Sequence, residues 1–297
     1  MKIIIAAGTG FLGKNLEKYF TEKGNEVYIL TRNPKRENEI FWDAKTLGEW
    51  KNFIENSDVL INLAGKSVDC RYTEKNKKEI YDSRIESTKV LQQAIDECMN
   101  KPKIWLNASS ATIYVHSENH LNTEENGTIG DDFSMNICKS WEKEFFTSKT
   151  ENVRKVALRT SIVLGSNGGA FPKLKMLTKL GLGGKQGRGN QMVSWIHIDD
   201  FCRAVEFIIE NGNIAGEMNI TAPNPLSNEE FMKKLRQQMK APFGLNAPVW
   251  QLEIASIFLN TETELLLKSR NVYPDKLMKS GFKFTYPTIE TALVYLI

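Results

Sequence analysis

The sequence predicts an α/β fold built on a doubly wound parallel sheet, and three observations carry that expectation. Short apolar runs alternate with amphipathic helical patterns through the first 165 residues, the mark of parallel strands joined by helical crossovers. The first run, Ile3-Ile4-Ile5-Ala6, passes into Gly8, Gly10 and Gly13 at G-x-G-x-x-G spacing, and an amphipathic segment, Lys14 to Thr21, follows at once. From Gly165 the composition changes: residues 165–190 are rich in glycine, and helical patterns with turn-rich connectors run to the end.

The elements follow in order. Gly24 is placed to stop the first helix, and Glu26–Thr31 (EVYILT) reads as the second strand. Glu39–Trp42 is a short third, Val59–Leu63 a fourth, Ile104–Ala108 a fifth and Val156–Arg159 a sixth. A long helix from about Thr73 to Met99 lies between the fourth and fifth, because Ile80, Arg84, Ser87, Leu91, Ile95 and Met99 recur at helical spacing. Another helix covers roughly Met135 to Phe146. Within the glycine-rich stretch, LGLGGKQGRG at 180–189 reads as a mobile loop. A strand-like stretch, Met192–Ile198, leads into a helix from Asp199 to about Glu210, with Asp199 or Asp200 as its cap. After Gly216–Ile220 comes the turn-rich TAPNP, and Ser227 with Glu230 three residues on reads as a capping box. Residues 241–249 form a connector, and two further helical patterns end near Tyr295. The expected division is a dinucleotide-binding domain, residues 1–222, carrying a substrate-side insertion at about 165–190, and a small C-terminal helical domain, residues 223–297.

The chemistry begins at the first turn. A strand, a tight glycine turn and a helix N-terminus bring backbone N–H groups up to a pyrophosphate. Gly8, Thr9, Gly10, Phe11, Leu12 and Gly13 are therefore candidate cofactor contacts. At the end of the second strand an acid suits a free ribose 2′-hydroxyl, and an arginine suits a 2′-phosphate. Here the chain reads Leu30-Thr31-Arg32-Asn33-Pro34-Lys35-Arg36, with no acid in that place. A guanidinium clamps phosphate in two-pronged fashion, so the expected cofactor is NADP(H) rather than NAD(H). An ordinary basic turn is the plainer reading of the same residues. Asn62-Leu63-Ala64-Gly65 ends the fourth strand in small residues, where a cofactor crossing the strand ends needs room; a simple β-turn is the alternative.

Composition bounds the rest. The chain has 297 residues, 41% of them hydrophobic, and a net charge of +3 from 39 basic and 36 acidic residues. That balance gives no electrostatic case for nucleic acid or an anionic membrane. Four cysteines without a C-x-x-C pair fit the reduced thiols of a cytoplasmic protein. His116 and His120 are four apart, but in a polar stretch that reads as a surface loop, so no metal site is expected. No signal peptide is visible, and no run approaches the ~18 apolar residues of a membrane span.

By this point many ordered stretches resemble one family. They are AAGTGFLG (6–13), LTRNP (30–34), FWD (41–43), NLAGKSV (62–68), KKEIYDSRIESTK (77–89), LRTSIVLGSNGGAFPKL (158–174), LGLGGKQGRG (180–189), SWIHIDD (194–200), NITAPNPLSNEEF (219–231) and PDKLMKSGFKFTYPTIETAL (274–293). Together they resemble the extended short-chain dehydrogenase/reductase superfamily, and more closely its atypical epimerase-family branch with the family 39U and YfcH-like proteins. The resemblance implies a Rossmann-like domain with a smaller C-terminal substrate-side lobe. It implies NADP contacts at Thr31, Arg32, Leu63, Ala64, Glu79, Arg84 and Val163. For Arg84 the residues agree, since its helical stripe is otherwise apolar or small and should turn the guanidinium inward.

The superfamily's usual acid/base pair is Tyr-x-x-x-Lys, in which the lysine lowers the phenol's pKa. Aligned on Trp141-Glu142, this chain has Ser134 and Cys138 in those places. Lys139 is one residue off, and the register that uses it puts Met135 at the tyrosine place. The serine of the superfamily's SSAxxY stretch survives as Ser110, with Tyr114 after it. Ser110 and Tyr114 are the catalytic candidates, with Cys138 and His197 behind them. Extended members of the superfamily favour G-x-x-G-x-x-G, which places a glycine at position 7, here Ala7, with Gly8 expected to supply the backbone freedom. Three functions follow: an NADP(H)-dependent oxidoreductase or epimerase with a non-standard proton relay; a non-catalytic NADP(H) sensor acting through a partner, the branch being linked with cell division; and a standard nucleotide-sugar epimerase, which the missing pair disfavours. The expected partner of the first is a small-molecule substrate, with Lys173, Lys185 and Arg188 near the cleft as receivers of an anion.

Overall fold

A computed structural model describes residues 1–147, 150–258, 262 and 264–297. The chain opens with β1 (Lys2–Ala6), α1 (Phe11–Glu22), β2 (Glu26–Thr31), β3 (Glu39–Phe41), β4 (Val59–Asn62) and α2 (Glu74–Glu97). It continues with β5 (Ile104–Ser110), α3 (Phe133–Thr147) and β6 (Arg154–Thr160). Next come a small hairpin, β7 (Ile162–Gly165) and β8 (Gly168–Gly169), then α4 (Phe171–Lys179), β9 (Met192–Val193), β10 (Trp195–His197), α5 (Ile198–Glu210) and β11 (Gly216–Ile220). The remainder is β12 (Leu226–Ser227), α6 (Asn228–Gln238), α7 (Val249–Phe258), α8 (Glu264–Leu267), α9 (Asp275–Lys279) and α10 (Ile289–Leu296).

Seven strands form one parallel sheet in the order β11-β6-β5-β4-β1-β2-β3. This is the Rossmann-like α/β fold. Central β1 and β4 are covered on both faces, which is why they read as unbroken apolar runs. Ile3 and Ile5 face Leu16 and Phe20 of α1 and Phe201 and Val205 of α5. Ile4 and Ala6 face the other way, toward Val90, Leu91 and Ile95 of α2. The strand order turns back between β1 and β4, so the crevice for a ligand opens at the carboxyl ends of those two strands. A third core joins Leu164, Phe171 and Trp195 to Phe231 and Leu235 of α6 and Ile289 and Leu293 of α10. The glycine-rich insertion thus shares its core with the C-terminal helices. Among the described residues no helix is long and apolar enough to cross a membrane.

Three expectations are corrected. The strand-like run 192–198 is not one strand: its pieces pair separately, β10 with β7 and β9 with β12. Ser194 divides the run, its Oγ donating to the Arg270 carbonyl (2.7 Å) and accepting the Val272 N–H (2.9 Å). The 180–189 segment is not a free loop. Gly184 N–H donates to the Leu245 carbonyl (3.1 Å), Ala247 N–H to that of Lys185 (2.9 Å) and Gly187 N–H to that of Ala247 (2.8 Å), so loop and connector hold each other. The cap of α5 is His197, whose Nδ1 accepts the Asp199 N–H at 3.1 Å. The capping box of Ser227 and Glu230 forms as expected.

Candidate cofactor groove and active site

The turn after β1 divides its tasks among four small residues. Ala7 carries the left-handed backbone, with φ 57°, so the freedom expected of Gly8 is needed one position earlier. Gly8 is needed for space: a Cβ there would lie 2.8 Å from Ile29 Cδ1 and 2.9 Å from Ile5 Cγ2. At Gly13 a Cβ would sit 2.2 Å from the Gly8 carbonyl oxygen, so α1 rests directly on the turn. Gly10 is different. It precedes α1 without any side-chain cap, a Cβ on it would meet nothing within 4 Å, and no acid stands in the helix's first turn. The first N–H groups and the positive end of the helix dipole are left for an acceptor. Thr9 is exposed, Leu12 half-buried. The Phe11 ring packs under the β7–β8 hairpin, where a Cβ at Gly168 would lie 2.5 Å and one at Gly165 2.6 Å from it. Val163 is buried in β7 beside that contact.

At the end of β2, Thr31 is buried and its Oγ1 takes the Asn33 N–H at 3.4 Å. Arg36 is held by Glu17 (2.8 Å) and Glu39 (2.7 Å). Arg32 is exposed and makes no hydrogen bond or ion pair with any described residue. At the end of β4 the buried Asn62 donates to Asn107 Oδ1 (2.7 Å) and accepts the Ala64 N–H (3.0 Å), which fixes the Leu63-Ala64 bend. Gly65 lies against Arg84: a Cβ there would be 3.0 Å from its Cζ. Arg84 donates to the carbonyls of Ile80 (2.9 Å) and Lys66 (3.1 Å), and its guanidinium lies over the Trp141 ring at 5.0 Å. It has no carboxylate partner among the described residues, and withdrawal from water lowers its pKa. Glu79 pairs with the Lys66 ammonium. Glu79 and Arg84 thus meet at Lys66 rather than each other. An uncapped helix end, a turn with no room for a side chain at Gly8 or Gly13 and an uncommitted arginine at the end of β2 fit a phosphorylated dinucleotide.

The corner of the catalytic candidates differs from the expectation. Ser110 ends β5 half-buried, its Oγ accepting the Thr112 N–H (3.2 Å) and donating to Thr112 Oγ1 (3.0 Å). Tyr114 is 1% exposed; its hydroxyl donates to Asn219 Oδ1 (2.9 Å) and accepts from Arg159 (2.9 Å). Arg159 forks onto Glu142 at 2.9 and 2.7 Å, and Glu142 also accepts from Ser109 (2.6 Å). The Tyr114 phenol, raised in pKa by burial, is a tie between β5, β6, α3 and β11. Both hydrogen-bonding roles of a catalytic phenol are already filled there by protein. Cys138 is buried with Ala111 and Val272, and burial pushes its thiol up to about 12, an inert state. Lys139 faces outward, paired with Asp131. His197 is buried as a cap with its ring 4.0 Å from that of Tyr286, and burial lowers its pKa. Lys173 pairs with Asp69 (2.7 Å) and Lys185 with Glu229 (3.6 Å).

The sequence did not signal what comes to this corner from the C-terminal lobe. The Ser134 hydroxyl bonds Glu264 and Asp132 (3.1 Å), and Lys268 pairs with both acids, 2.7 Å from Glu264. Arg270 follows, half-buried, its guanidinium bonded to the Ser269 carbonyl (3.3 Å). Tyr72, from the loop before α2, packs its ring on Phe133 at 4.9 Å, and its buried hydroxyl has no hydrogen-bond partner among the described residues. Glu264 and Lys268 are an i, i+4 pair with Arg270 two residues on, but Tyr72 and the Asp132–Ser134 stretch they meet lie far away in the chain.

Comparison with known proteins agrees with this architecture. Residues 3–221 match the model of the NAD dependent epimerase/dehydratase family, and residues 247–296 match a domain of unknown function, DUF1731. The epimerase family protein YfhF of Bacillus subtilis is 36% identical, the alignment covering 100% of this chain and 98% of that one. The human epimerase family protein SDR39U1, crystallised with NADPH, superposes with a TM-score of 0.90 at 28% identity, covering 100% of this chain and 99% of that one. A nucleoside-diphosphate sugar epimerase from Corynebacterium glutamicum gives 0.81 at 28% identity, over 99% of this chain and 57% of that longer one. With a family match over more than two thirds of its length and a full-length relative above 30% identity, the chain belongs to the NAD dependent epimerase/dehydratase family.

Proposed function

We propose that the protein binds NADP(H) and acts as an oxidoreductase or epimerase without a Tyr-x-x-x-Lys pair. The observation that carries the cofactor choice is the contrast at the end of β2: Arg36 is neutralised by two acids, and Arg32 has no described partner. A 2′-phosphate is the group that a free guanidinium there would take. The NADPH bound to the human relative supports this. Gly8 to Gly13 hold the pyrophosphate, Thr31 and Arg32 the adenosine ribose end, and Leu63, Ala64, Gly65, Glu79, Arg84 and Val163 the course across the strand ends. When bound, the nicotinamide supplies or takes a hydride. Ser110 is the residue to orient a substrate oxygen, because the Tyr114 hydroxyl is already filled by Asn219 and Arg159.

Titration with NADPH and NADH tests the reading. The unmutated protein should bind NADPH at least about tenfold more tightly, the worth of one charge-assisted contact. Arg32→Asp should abolish that preference. Equal affinities in the unmutated protein would sink the reading.

A second reading, a non-catalytic NADP(H) sensor in cell division, draws on the inert Cys138 and the Ser134 that stand where the acid/base pair would be. Stereospecific oxidation of bound NADPH by small aldehydes or ketones separates the two: turnover supports the enzyme, and tight binding without turnover the sensor.

A further inference from the structure

We infer that Arg270 and Tyr72 form the recognition site for a carboxylate group of the substrate. This rests on the proposed function for its meaning, since it names the class of molecule brought to the cofactor. Two donors lie at this corner and neither is spent. The Tyr72 hydroxyl is buried with no described partner. The Arg270 guanidinium has one long bond to its neighbour's carbonyl and no ion pair among the described residues. Arg270 and Arg84 both interact electrostatically with Tyr72 and Cys138, which puts the two guanidiniums around one spot beside α3.

The acids nearby, Asp132 and Glu264, act on Arg270 only from beyond ion-pair distance. Asp132 and Glu264 both pair with Lys268, and the single Ser134 hydroxyl lies within hydrogen-bond reach of both. A half-buried guanidinium with no carboxylate in contact among the described residues is costly to hold, and a ligand anion relieves the cost. Burial raises the Tyr72 pKa, so its phenol stays a donor at neutral pH. Two donors that the neighbouring acids Asp132, Glu262 and Glu264 leave unspent call for an anionic oxygen group. Its charge is the deciding point. A planar monoanion fits the fork of one guanidinium, whereas a phosphate dianion would face Asp132 and Glu264 across the same corner. The class is therefore a small carboxylate, held by Arg270 and Tyr72 while Arg84 stays with Gly65 and the cofactor groove.

The test is calorimetric titration of the full chain with sodium propionate and with inorganic phosphate, each with and without NADPH. Propionate should bind, and more tightly than phosphate. Arg270→Gln should weaken propionate by at least about tenfold and Tyr72→Phe by several-fold, the usual span for a hydrogen bond to a charged group. Arg270→Lys, which keeps the charge and loses the fork, should fall between the unmutated protein and Arg270→Gln. It also keeps the test open if Arg270→Gln does not fold. NADPH affinity should be the same in all four proteins. Undiminished propionate binding in Arg270→Gln and Tyr72→Phe, or tighter binding of phosphate than of propionate, overturns the assignment. Failure of the unmutated chain to bind NADPH overturns the cofactor reading instead, and the titrations without NADPH then decide the carboxylate site by themselves.

Discussion

Arg32 and Arg36 leave one turn four positions apart, and their surroundings set their roles. Glu17 and Glu39 close on Arg36 and fasten the turn to α1, which leaves the other positive charge for a ligand. In the run Leu30 to Arg36 the two arginines look alike; the difference lies in Glu17 on α1, which spacing along the second strand does not reveal. His197 shows a similar division between chemistry and support. Its Nδ1 caps α5 and its ring lies tilted against that of Tyr286. Burial lowers its pKa below the ordinary 6.5, against the pull of Asp199 and Asp200. The unfolded chain therefore takes up this proton first. The stability contributed by neutral His197 is complete above about pH 6.5 and is lost as pH falls through the folded pKa. His197→Asn keeps a cap acceptor without the titration. Its melting temperature should fall less steeply than that of the unmutated protein between about pH 6.5 and pH 4. An equally steep fall in both proteins would show that other groups set the acid limit.

At the scale of elements, the β1–α1 turn is the part most legible in advance, because glycine spacing there encodes contacts only a few residues long. Its detail was less so. Position 7 holds the positive φ although it is alanine, at a cost of about 1 kcal/mol. Gly13 is the contact the turn cannot give up. Gly13→Ala would drive a methyl into the Gly8 carbonyl, lift α1 from the sheet and lower stability by about 1–3 kcal/mol. Urea unfolding reads the loss, and NADPH titration should show weakened binding with it. Strands buried on both faces announced themselves as apolar runs. The pairs β9–β12 and β7–β10 did not, because their lengths of two to four residues are set by partners far along the chain. The run at 180–189 looked loose for the same reason: glycine signals a turn but not the connector that hydrogen-bonds to it.

At the scale of the molecule, α5 is tied to the C-terminal segment through a buried carboxylate. Asp200, wholly buried in the first turn of α5, accepts the N–H groups of Thr285 (2.9 Å) and Tyr286 (2.8 Å) and pairs with Arg203 (2.6 Å). Asp200→Asn should cost about 2 kcal/mol and loosen the segment leading to α10. Limited proteolysis should then cut near residue 285 before the sheet opens; unchanged cleavage would deny this role. The corner of Tyr72, Ser134 and Arg270 is likewise a product of the whole chain, drawn from three separate stretches. No motif could have displayed it, which is why residues of the candidate cofactor groove could be named from the sequence and those of this corner could not. The hairpin and Phe11 are bound together in descent. The ring occupies the volume that side chains at Gly165, Gly168 and Gly169 would need. Across relatives, then, a larger residue in that hairpin should be found only with a smaller one at position 11, so the two sites must change as a pair or not at all.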